Sequence, residues 1–403
     1  MSGLKNKIRE LAQEYSPYFT GVRHHLHAHP ELSYQEYQTS AYVQQQLASF
    51  GITDQKVMGG TGVIAILKGR EPQKRTIALR ADMDALPIEE ENDVEYRSTN
   101  KGVMHACGHD VHTTCLLGAA KVLHQLRDQW EGTVKLIFQP GEEKNPGGAS
   151  ILIREGVLKD PAPSAILGLH VHSGLQAGQF SFRAGQVMAS ADELYLTIKS
   201  NGGHAAAPHL TTDTVLVASQ IVVALQQVVS RNSDPLSPSV LSICSIQGGH
   251  TTNVIPNEVK MMGTFRALDE AWRFKAHELI RRVATHTAAA MGAELDLKID
   301  VGYPSVVNND ELYLTARSLA EELEGTENVE TTEVRMGAED FGYYSQVIPG
   351  CFYRLGIGNV GKGITAGVHT PKFNIDESAI KYGIEMMAWL GAMVDFEGAT
   401  EKK

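Results

Sequence analysis

Apolar residues follow two different spacings along the first 181 residues of the chain. In residues 4–50 they recur at helical spacing, as at Leu4, Ile8 and Leu11, which predicts amphipathic helices. After residue 62, short apolar runs bounded by polar turns predict buried strands at 63–67, 76–80, 133–138 and 165–169. Helices predicted at 113–126 and 148–155 separate the last three strands. This alternation predicts an α/β fold with a mixed, largely parallel sheet flanked by helices.

The next part of the chain, residues 189–300, has a different order of elements. The spacing predicts strands at 194–199, 240–248, 259–267 and 294–301, with helices at 212–230 and 270–291. This βαββαβ order is typical of a ferredoxin-like α+β unit. The α/β pattern then resumes with helices predicted at 310–324 and 377–394. We therefore predict a discontinuous catalytic domain (1–188 and 301–403) interrupted by an inserted domain (189–300).

Composition narrows the class of protein without identifying it. The 403 residues are 42% hydrophobic and 21% charged, as in ordinary globular proteins. The net charge of −11 argues against nucleic acid and against an anionic membrane surface as partners. No apolar run approaches the roughly 20 residues that would span a bilayer. The four cysteines have no regular spacing, so we expect a reduced, cytoplasmic protein.

The stretch 104–112 contains a cysteine and a histidine that could bind one metal ion. Cys107 and His109 flank Gly108, and a tight turn there would point the thiolate and the imidazole at the same place. Sulfur and imidazole together suit Zn²⁺. An isolated pair of this kind is more often a buried cysteine beside a hydrogen-bonded histidine. A metal site is therefore predicted only if other segments supply further ligands.

Polar residues that follow the predicted strands could supply these ligands. They are Asp82, Asp84, Glu142, Glu143, His170 and, in a later loop, His369. The adjacent carboxylates Glu142 and Glu143 are the most informative, because two such groups cannot both be buried without a positive partner. A metal ion could neutralise one of them and leave the other to act as a base. The alternative is a solvated acidic loop.

Four histidines lie between residues 24 and 29, and this cluster could also suggest a metal site. His25 and His29 have the i, i+4 spacing of one helical face. Pro30 ends the helix, however, and no carboxylate completes a set of three ligands at the usual spacing. We favour a structural role, or a position at the rim of a substrate site.

Seven segments together resemble the dinuclear-metal amidohydrolases of peptidase family M20, subfamily D, which includes aminoacylases, hippurate hydrolases and indole-acetyl-amino-acid hydrolases. The segments are 104–113, 139–148, 168–171, 202–209, 249–258, 336–342 and 368–373. They occur in order over nearly the whole chain, and the combination is highly specific. The resemblance implies a catalytic domain interrupted by a smaller lid domain that mediates dimerisation.

The resemblance also implies a metal site with two divalent ions per subunit. Its ligands would be Cys107, which bridges the ions, and His109, Glu143, His170 and His369. Glu142 matches the general base, and Asp84 matches an aspartate that supports the site from behind the ligands. Related branches have a histidine ligand where this chain has Asp82, and His109 restores the missing imidazole. Zn²⁺ or Mn²⁺ is expected, with Co²⁺ or Ni²⁺ also compatible.

The predicted lid carries residues that match substrate contacts in the family. His204 matches a residue that reaches the active site of the partner subunit, where it would stabilise the oxyanion. Asn253 and Arg266 match groups that hold the free carboxylate of a small-molecule substrate. Asp340 lies in one of the matching segments and has no assigned role. A homodimer, or a dimer of dimers, is expected.

The implied reaction is hydrolysis of the amide bond of an N-acyl-L-amino acid, such as hippurate or an N-acetyl amino acid. A metal-activated water would attack, with Glu142 as general base. A metallo-carboxypeptidase or dipeptidase could use the same site on short peptides. A thiol hydrolase with Cys107 as nucleophile is a third possibility, and a non-catalytic metal-binding protein is a fourth. The fourth requires a missing ligand or base, and none is missing.

Overall fold

The computed structural model describes residues 2–396 of the chain, so the extreme ends of the predicted catalytic domain lie outside the described residues. The helices are α1 (Ser2–Ala28), α2 (Tyr37–Ser49), α3 (His109–Gln125), α4 (Gly148–Arg154), α5 (Thr214–Asn232), α6 (Glu270–Ala290), α7 (Asp310–Glu324), α8 (Phe341–Ser345) and α9 (Ser378–Met393). The strands are β1 (Gln55–Met58), β2 (Gly62–Lys68), β3 (Thr76–Asp82), β4 (Thr133–Gln139), β5 (Ala165–Gln176), β6 (Phe180–Phe182), β7 (Gly185–Met188), β8 (Asp192–Lys199), β9 (Gly203–His204), β10 (Ser239–Gln247), β11 (Val254–Ile255), β12 (Glu258–Ala267), β13 (Glu294–Val301), β14 (Val306–Asn308), β15 (Val329–Thr331) and β16 (Gly350–Gly358).

The chain forms two compact units. Among the described residues, the first contains 2–187, 307–333 and 343–396. The second contains 188–306 and 334–342. The boundaries that the sequence suggested, after 188 and after 300, lie near two of these limits. Residues 334–342, in contrast, were assigned to the catalytic domain from the sequence and belong to the second unit here. The roles of catalytic and lid domain stay predictions.

The first unit is built on an eight-stranded sheet, which confirms the predicted α/β class. Its strand order is β1-β2-β4-β3-β5-β16-β6-β15. The central neighbours β4, β3, β5 and β16 are parallel, whereas β1, β2 and β4 pair antiparallel. All seven residues of β4 are buried, as expected for a central strand covered on both faces. The parallel order brings the carboxyl ends of β3 and β4 to one edge.

Helices α1, α3 and α9 pack against one another beside this sheet. Their apolar side chains share one core with the strands, which includes Phe19 of α1, Leu116 of α3 and Trp389 of α9. Almost every residue of α3 is buried, so the helix that follows the cysteine motif is fixed on all sides. The start of α3 is therefore held rigidly, and so are the side chains that it carries.

The second unit confirms the predicted ferredoxin-like arrangement. Its sheet has the order β10-β12-β8-β13 with all neighbours antiparallel, and α5 and α6 complete the βαββαβ unit. Asp192 begins β8 as a buried carboxylate. Its Oδ2 accepts hydrogen bonds from Arg273 Nε at 2.9 Å and from His277 Nε2 at 2.7 Å. This ion cluster ties α6 to the first strand of the unit.

Helix α5 could cross a membrane by length and composition alone, and it is the one such helix among residues 2–396. It is not a continuous apolar run, because Gln220, Gln226 and Gln227 lie within it. Val217, Ile221, Leu225 and Val228 form a buried face at helical spacing that belongs to the core of the second unit. A single such helix is weak evidence for a membrane span.

Candidate metal centre

The first part of the site lies at the end of β3. Asp82 is the last residue of this strand, and Asp84 follows two residues later; both are buried. Buried carboxylates at the carboxyl edge of a largely parallel sheet are where α/β proteins place functional groups. The structure thus brings both aspartates to the edge that the sequence analysis predicted.

The cysteine motif forms the turn that starts α3. Gly108 precedes the helix with φ of 84°, the left-handed region that favours glycine. A Cβ at this position would lie 2.5 Å from a methyl group of Val171. A side chain is therefore excluded there both by conformation and by space. This turn places Cys107 and His109 on the same side of the sheet edge.

The four other predicted ligands lie around Cys107. Its Sγ lies 3.5 Å from His170 Nε2 and 3.3 Å from His369 Nε2. His369 Nε2 is also 3.2 Å from Glu143 Oε1. Potential ligand atoms lie within 4.8 Å of one another in two groups that share the thiol: Cys107, His109 and His170 form one, and Cys107, Glu143 and His369 form the other. This arrangement fits a sulfur atom between two cations.

His109 is oriented as a metal-binding histidine would be. Its Nδ1 donates to Asp84 Oδ1 at 3.2 Å, so Nε2 is the nitrogen that a metal ion would bind. Nε2 is buried and has no hydrogen-bond partner of standard geometry among the described residues. Oxygens of Asp82, Glu142 and Glu143 lie 3.7, 4.0 and 4.0 Å from it. A buried nitrogen facing several carboxylates at these distances fits coordination to a cation.

His170 has the same kind of orientation. Its Nδ1 donates to the carbonyl oxygen of Val171 at 2.8 Å, so Nε2 presents its lone pair toward Cys107. Burial lowers the pKa of His170 well below its usual range, and the neighbouring His112 and Arg354 act in the same direction. The ring is therefore a neutral imidazole, the form that binds metal ions.

The pKa shifts in the cluster indicate that additional positive charge would stabilise it. Burial raises the pKa of the Cys107 thiol, and the nearby Glu143 raises it further. Hydrogen bonds with Cys107 and Glu143 raise the pKa of His369 to about 10. A bound divalent cation would supply this positive charge directly and would hold the thiol as a thiolate. The residues present therefore fit a centre for divalent metal ions.

Asp84 positions the backbone of Glu142 and Glu143, in addition to orienting His109. Its Oδ1 accepts the backbone N–H of Glu142 at 3.0 Å, and its Oδ2 accepts that of Glu143 at 3.0 Å. Hydrogen bonds from His109 and Ser33 help hold the pKa of Asp84 below its usual range despite burial. One carboxylate thus fixes a proposed ligand and the backbone of both glutamates.

No role was predicted for His112 from the sequence, and the structure places it behind the predicted ligands. His112 Nδ1 donates to Asp82 at 2.6 Å, and its Nε2 accepts the backbone N–H of Val171 at 2.9 Å. Arg80 Nη1 donates to the other oxygen of Asp82 at 2.5 Å. This chain of contacts holds the backbone next to His170. The sequence signal for this supporting position was the spacing of three residues from His109, which places both side chains on the same face of the helix, toward the same sheet edge.

The histidines at 24–29 lie apart from this cluster. His27 is buried between Asp110, at 2.8 Å, and Glu90, at 3.1 Å. Arg23 Nε also donates to Asp110 at 2.8 Å. A buried guanidinium at the centre of such a network makes it a structural ion cluster that ties α1 to α3, and it is not a metal site. His105 is buried nearby, and neither of its ring nitrogens makes a hydrogen bond among the described residues.

The remaining predicted residues belong to the second unit. His204 is exposed on β9, which pairs with β11, and Asn253 immediately precedes β11. The backbone N–H of Ala205, the residue after His204, donates to the carbonyl oxygen of Asn253 at 3.0 Å, so His204 and Asn253 lie on neighbouring segments. Arg266 is half-buried on β12, and burial lowers the pKa of its guanidinium. Asp340 is buried within 334–342.

Comparison with known proteins gives a consistent family match. The model described as "Peptidase family M20/M25/M40" matches residues 78–390. The chain is 43% identical to an N-acyl-L-amino acid amidohydrolase of Geobacillus stearothermophilus, over 76% of this chain and 82% of that protein. It is 40% identical to thermostable carboxypeptidase 2 of Saccharolobus solfataricus, over 94% and 96%. A crystal structure of the Bacillus subtilis YXEP protein, described as a dinuclear metal binding peptidase from the M20 family, has a TM-score of 0.82 and 35% identity, over 94% and 98%.

Proposed function

The chain belongs to peptidase family M20/M25/M40 and is a hydrolase of that family, and from this we propose that it hydrolyses the amide bond of N-acyl-L-amino acids. The observation that carries the proposal is the pair of ligand groups that share Cys107. It supports two divalent ions held by Cys107, His109, Glu143, His170 and His369. Zn²⁺ or Mn²⁺ fits a donor set of thiolate, imidazole and carboxylate, and Co²⁺ or Ni²⁺ is also compatible.

The two glutamates would divide the chemistry between them. When bound, the metal ions supply Lewis-acid polarisation of the amide carbonyl and lower the pKa of water. Glu143 Oε1 faces His369 and the thiol of Cys107, which supports a role as ligand. Glu142 would accept a proton from the attacking water and donate it to the nitrogen of the leaving amino acid. Asp84 supports this division of roles, because its two oxygens bind the backbone N–H groups of Glu142 and Glu143 separately.

The second unit would supply the substrate contacts. Arg266 and Asn253 would bind the free carboxylate of the amino acid through charge-assisted hydrogen bonds. His204 would donate to the developing oxyanion in the active site of a partner subunit, a contribution typically worth about 3–4 kcal/mol. The resemblance to the family supports these three roles. They require a homodimer, or a dimer of dimers, with the second unit as a lid.

A second candidate is peptide cleavage, which the identity to a protein named carboxypeptidase supports. Both reactions break an amide bond next to a free carboxylate, so they differ only in the group on the acyl side. Three substrates with the same leaving residue separate them: N-acetyl-leucine, alanyl-leucine and N-acetyl-alanyl-leucine. Preference for the first supports the amidohydrolase, preference for the second a dipeptidase, and preference for the third a carboxypeptidase.

The decisive experiment combines this panel with control of the metal. The protein is stripped with a chelator, reconstituted with Zn²⁺, Mn²⁺, Co²⁺ or Ni²⁺, and assayed with hippurate and the three leucine substrates. We expect no activity without metal and recovery with at least one ion. Activity that survives complete removal of metal would favour the thiol mechanism at Cys107 and would refute the proposal.

We also propose a cytoplasmic location. All four cysteines are free of disulfides, and Cys244 is exposed as a free thiol. Exposed unpaired thiols are typical of proteins from reducing compartments.

A further inference from the structure

We propose that Tyr34 and Glu36 are positioning residues for the acidic loop, defined here as residues 140–147. The proposal rests on the function of Glu142 and Glu143 given above. Residues 33–36 lie in the connection between α1 and α2, and no role was predicted for them from the sequence. The backbone places this connection beside the site, since Leu32 forms a parallel bridge with Ala85.

Glu36 holds the acidic loop by its backbone. Its side chain is buried, and Oε1 accepts the backbone N–H of Gly141 at 2.8 Å. Oε2 accepts the hydroxyl of Thr61 at 2.7 Å. The next two backbone N–H groups, those of Glu142 and Glu143, are bound by Asp84. Three consecutive N–H groups are therefore held by two buried carboxylates, which fixes the direction in which both glutamate side chains leave the backbone.

Tyr34 holds the other end of the same loop. Its hydroxyl donates to the carbonyl oxygen of Lys144 at 2.6 Å and accepts the backbone N–H of Gly147 at 3.0 Å. Its ring lies against Gly141, where an added Cβ would be 2.3 Å from a ring carbon. Gly141 has φ of 55°, so a side chain there would also be strained. The ring and the hydroxyl together fill the inside of the loop.

The backbone of Tyr34 has a strained conformation. Its φ of 66° lies in the left-handed region, where residues other than glycine are uncommon. The N–H of Tyr34 donates to Glu36 Oε1 at 2.9 Å, which binds the two residues into one unit. Such strain persists when surrounding contacts determine it, and it concentrates at functional sites. Ser33 adds a contact of 2.6 Å to Asp84 from the same segment.

The test uses Tyr34→Phe, which removes the hydroxyl contacts and keeps the ring, and Glu36→Ala, which removes the carboxylate. Glu36→Gln is the conservative partner, because an amide oxygen can still accept from Gly141 while the Thr61 hydroxyl turns to accept. Tyr37→Phe is the control for the loss of a phenolic hydroxyl, since Tyr37 is exposed. Glu31→Gln is the control for the loss of a carboxylate in this connection, because Glu31 accepts the N–H of Thr39 at the start of α2.

For Tyr34→Phe and Glu36→Ala we expect kcat to fall at least about tenfold, the scale of one lost hydrogen bond. KM, metal content and the melting temperature should change little in Tyr34→Phe, and Glu36→Gln should regain most of the kcat lost in Glu36→Ala. Glu31→Gln should lower the melting temperature at unchanged kcat. An unchanged kcat in Tyr34→Phe, or a loss of kcat that matches a loss of bound metal, would overturn the proposal.

A second measurement does not depend on the substrate. Amide hydrogen exchange of residues 141–147 should become about tenfold faster in Tyr34→Phe and Glu36→Ala, and should stay unchanged in both controls. If the wild-type protein hydrolyses none of the proposed substrates, the proposed function fails while this measurement still decides whether the segment holds the loop. Unchanged exchange in both variants would refute the positioning role whatever the substrate.

Discussion

The backbone N–H of Glu142 donates to Asp84 Oδ1 at 3.0 Å, and the same oxygen accepts His109 Nδ1 at 3.2 Å. A single carboxylate oxygen thus orients the proposed base and a proposed ligand. In Asp84→Asn only one of the two terminal side-chain atoms is an oxygen, so only one side of this arrangement keeps its hydrogen-bond acceptor. We expect metal affinity or kcat to fall by about 10–100-fold, the usual effect of removing a carboxylate behind a metal-bound histidine. Isothermal titration with Zn²⁺ and steady-state kinetics measure the two effects, with the exposed Asp93→Asn as control. Wild-type values for both would contradict this role of Asp84.

The adjacent glutamates should respond differently to the same substitution. Glu142→Gln should keep the metal content and lower kcat by about 10²–10⁴-fold, the range for loss of a general base. Glu143→Gln should lose bound metal, because a neutral amide is a poorer ligand than a carboxylate. Metal analysis by mass spectrometry and turnover assays separate the two. An active Glu142→Gln enzyme would refute the assignment of the base.

Replacement of the shared thiol should empty the centre. Cys107→Ala removes the only atom common to both ligand groups, so we expect loss of both ions and of activity. Cys115→Ala is the matched control, since Cys115 is another buried cysteine, eight residues after Cys107 and within α3. A fully metallated and active Cys107→Ala protein would show that the thiol does not bridge metal ions.

Mixing of inactive variants tests whether a partner subunit contributes His204. His204→Ala and Glu142→Ala should each be inactive, because one lacks the oxyanion donor and the other the base. After subunit exchange, mixed dimers contain one site with both groups intact, so about a quarter of wild-type activity should return when exchange is complete, for two sites per dimer and random pairing. Absence of recovery, with exchange verified by native mass spectrometry, would argue against a contribution in trans.

A pH effect on stability is expected away from the metal centre. Burial raises the pKa of Glu385 to about 8, and the charge of Glu324 acts in the same direction. The folded protein keeps this proton above the pKa of the unfolded chain, so stability decreases as pH rises from about 4.5 to about 8 and then levels off. The slope is at most about 1.4 kcal/mol per pH unit. Thermal unfolding between these limits should show a smaller decrease for Glu385→Gln, and the exposed Glu330→Gln should behave as wild type. An equal slope in Glu385→Gln would contradict the shift.

The sequence predicted four adjacent strands of the sheet, β2, β4, β3 and β5, because buried strands are short apolar runs whose ends are visible as polar residues. The same rule misplaced two boundaries near the site. Helix α3 begins at His109, four residues before the predicted start, because its buried first turn contains the polar residues His109, Asp110 and His112. Strand β5 continues to Gln176 since its polar histidines, His170 and His172, remain in the strand. At both positions a polar residue lies where a structural pattern expects an apolar one.

The contacts behind the ligands could not be predicted in the same way. Glu36 and Gly141 are separated by 105 residues, and Asp82 and His112 by 30. Neither pair has a characteristic spacing in the sequence, because such contacts depend on how loops fold over the sheet edge. A segment such as 33–36 contains ordinary surface residue types, and only its burial and hydrogen bonds in three dimensions distinguish it.

The contact between Cys107 and His369 has a consequence for biosynthesis. The two residues are separated by 262 positions, and β16, which lies between them in the chain, pairs with β5 at the centre of the sheet. A ribosome that has completed the second unit has already produced four of the five proposed ligands, but it has made neither β16 nor His369. A nascent chain at that stage holds an open, incomplete centre. Coordination by all five proposed ligands therefore requires the final segment of the protein, which completes the sheet.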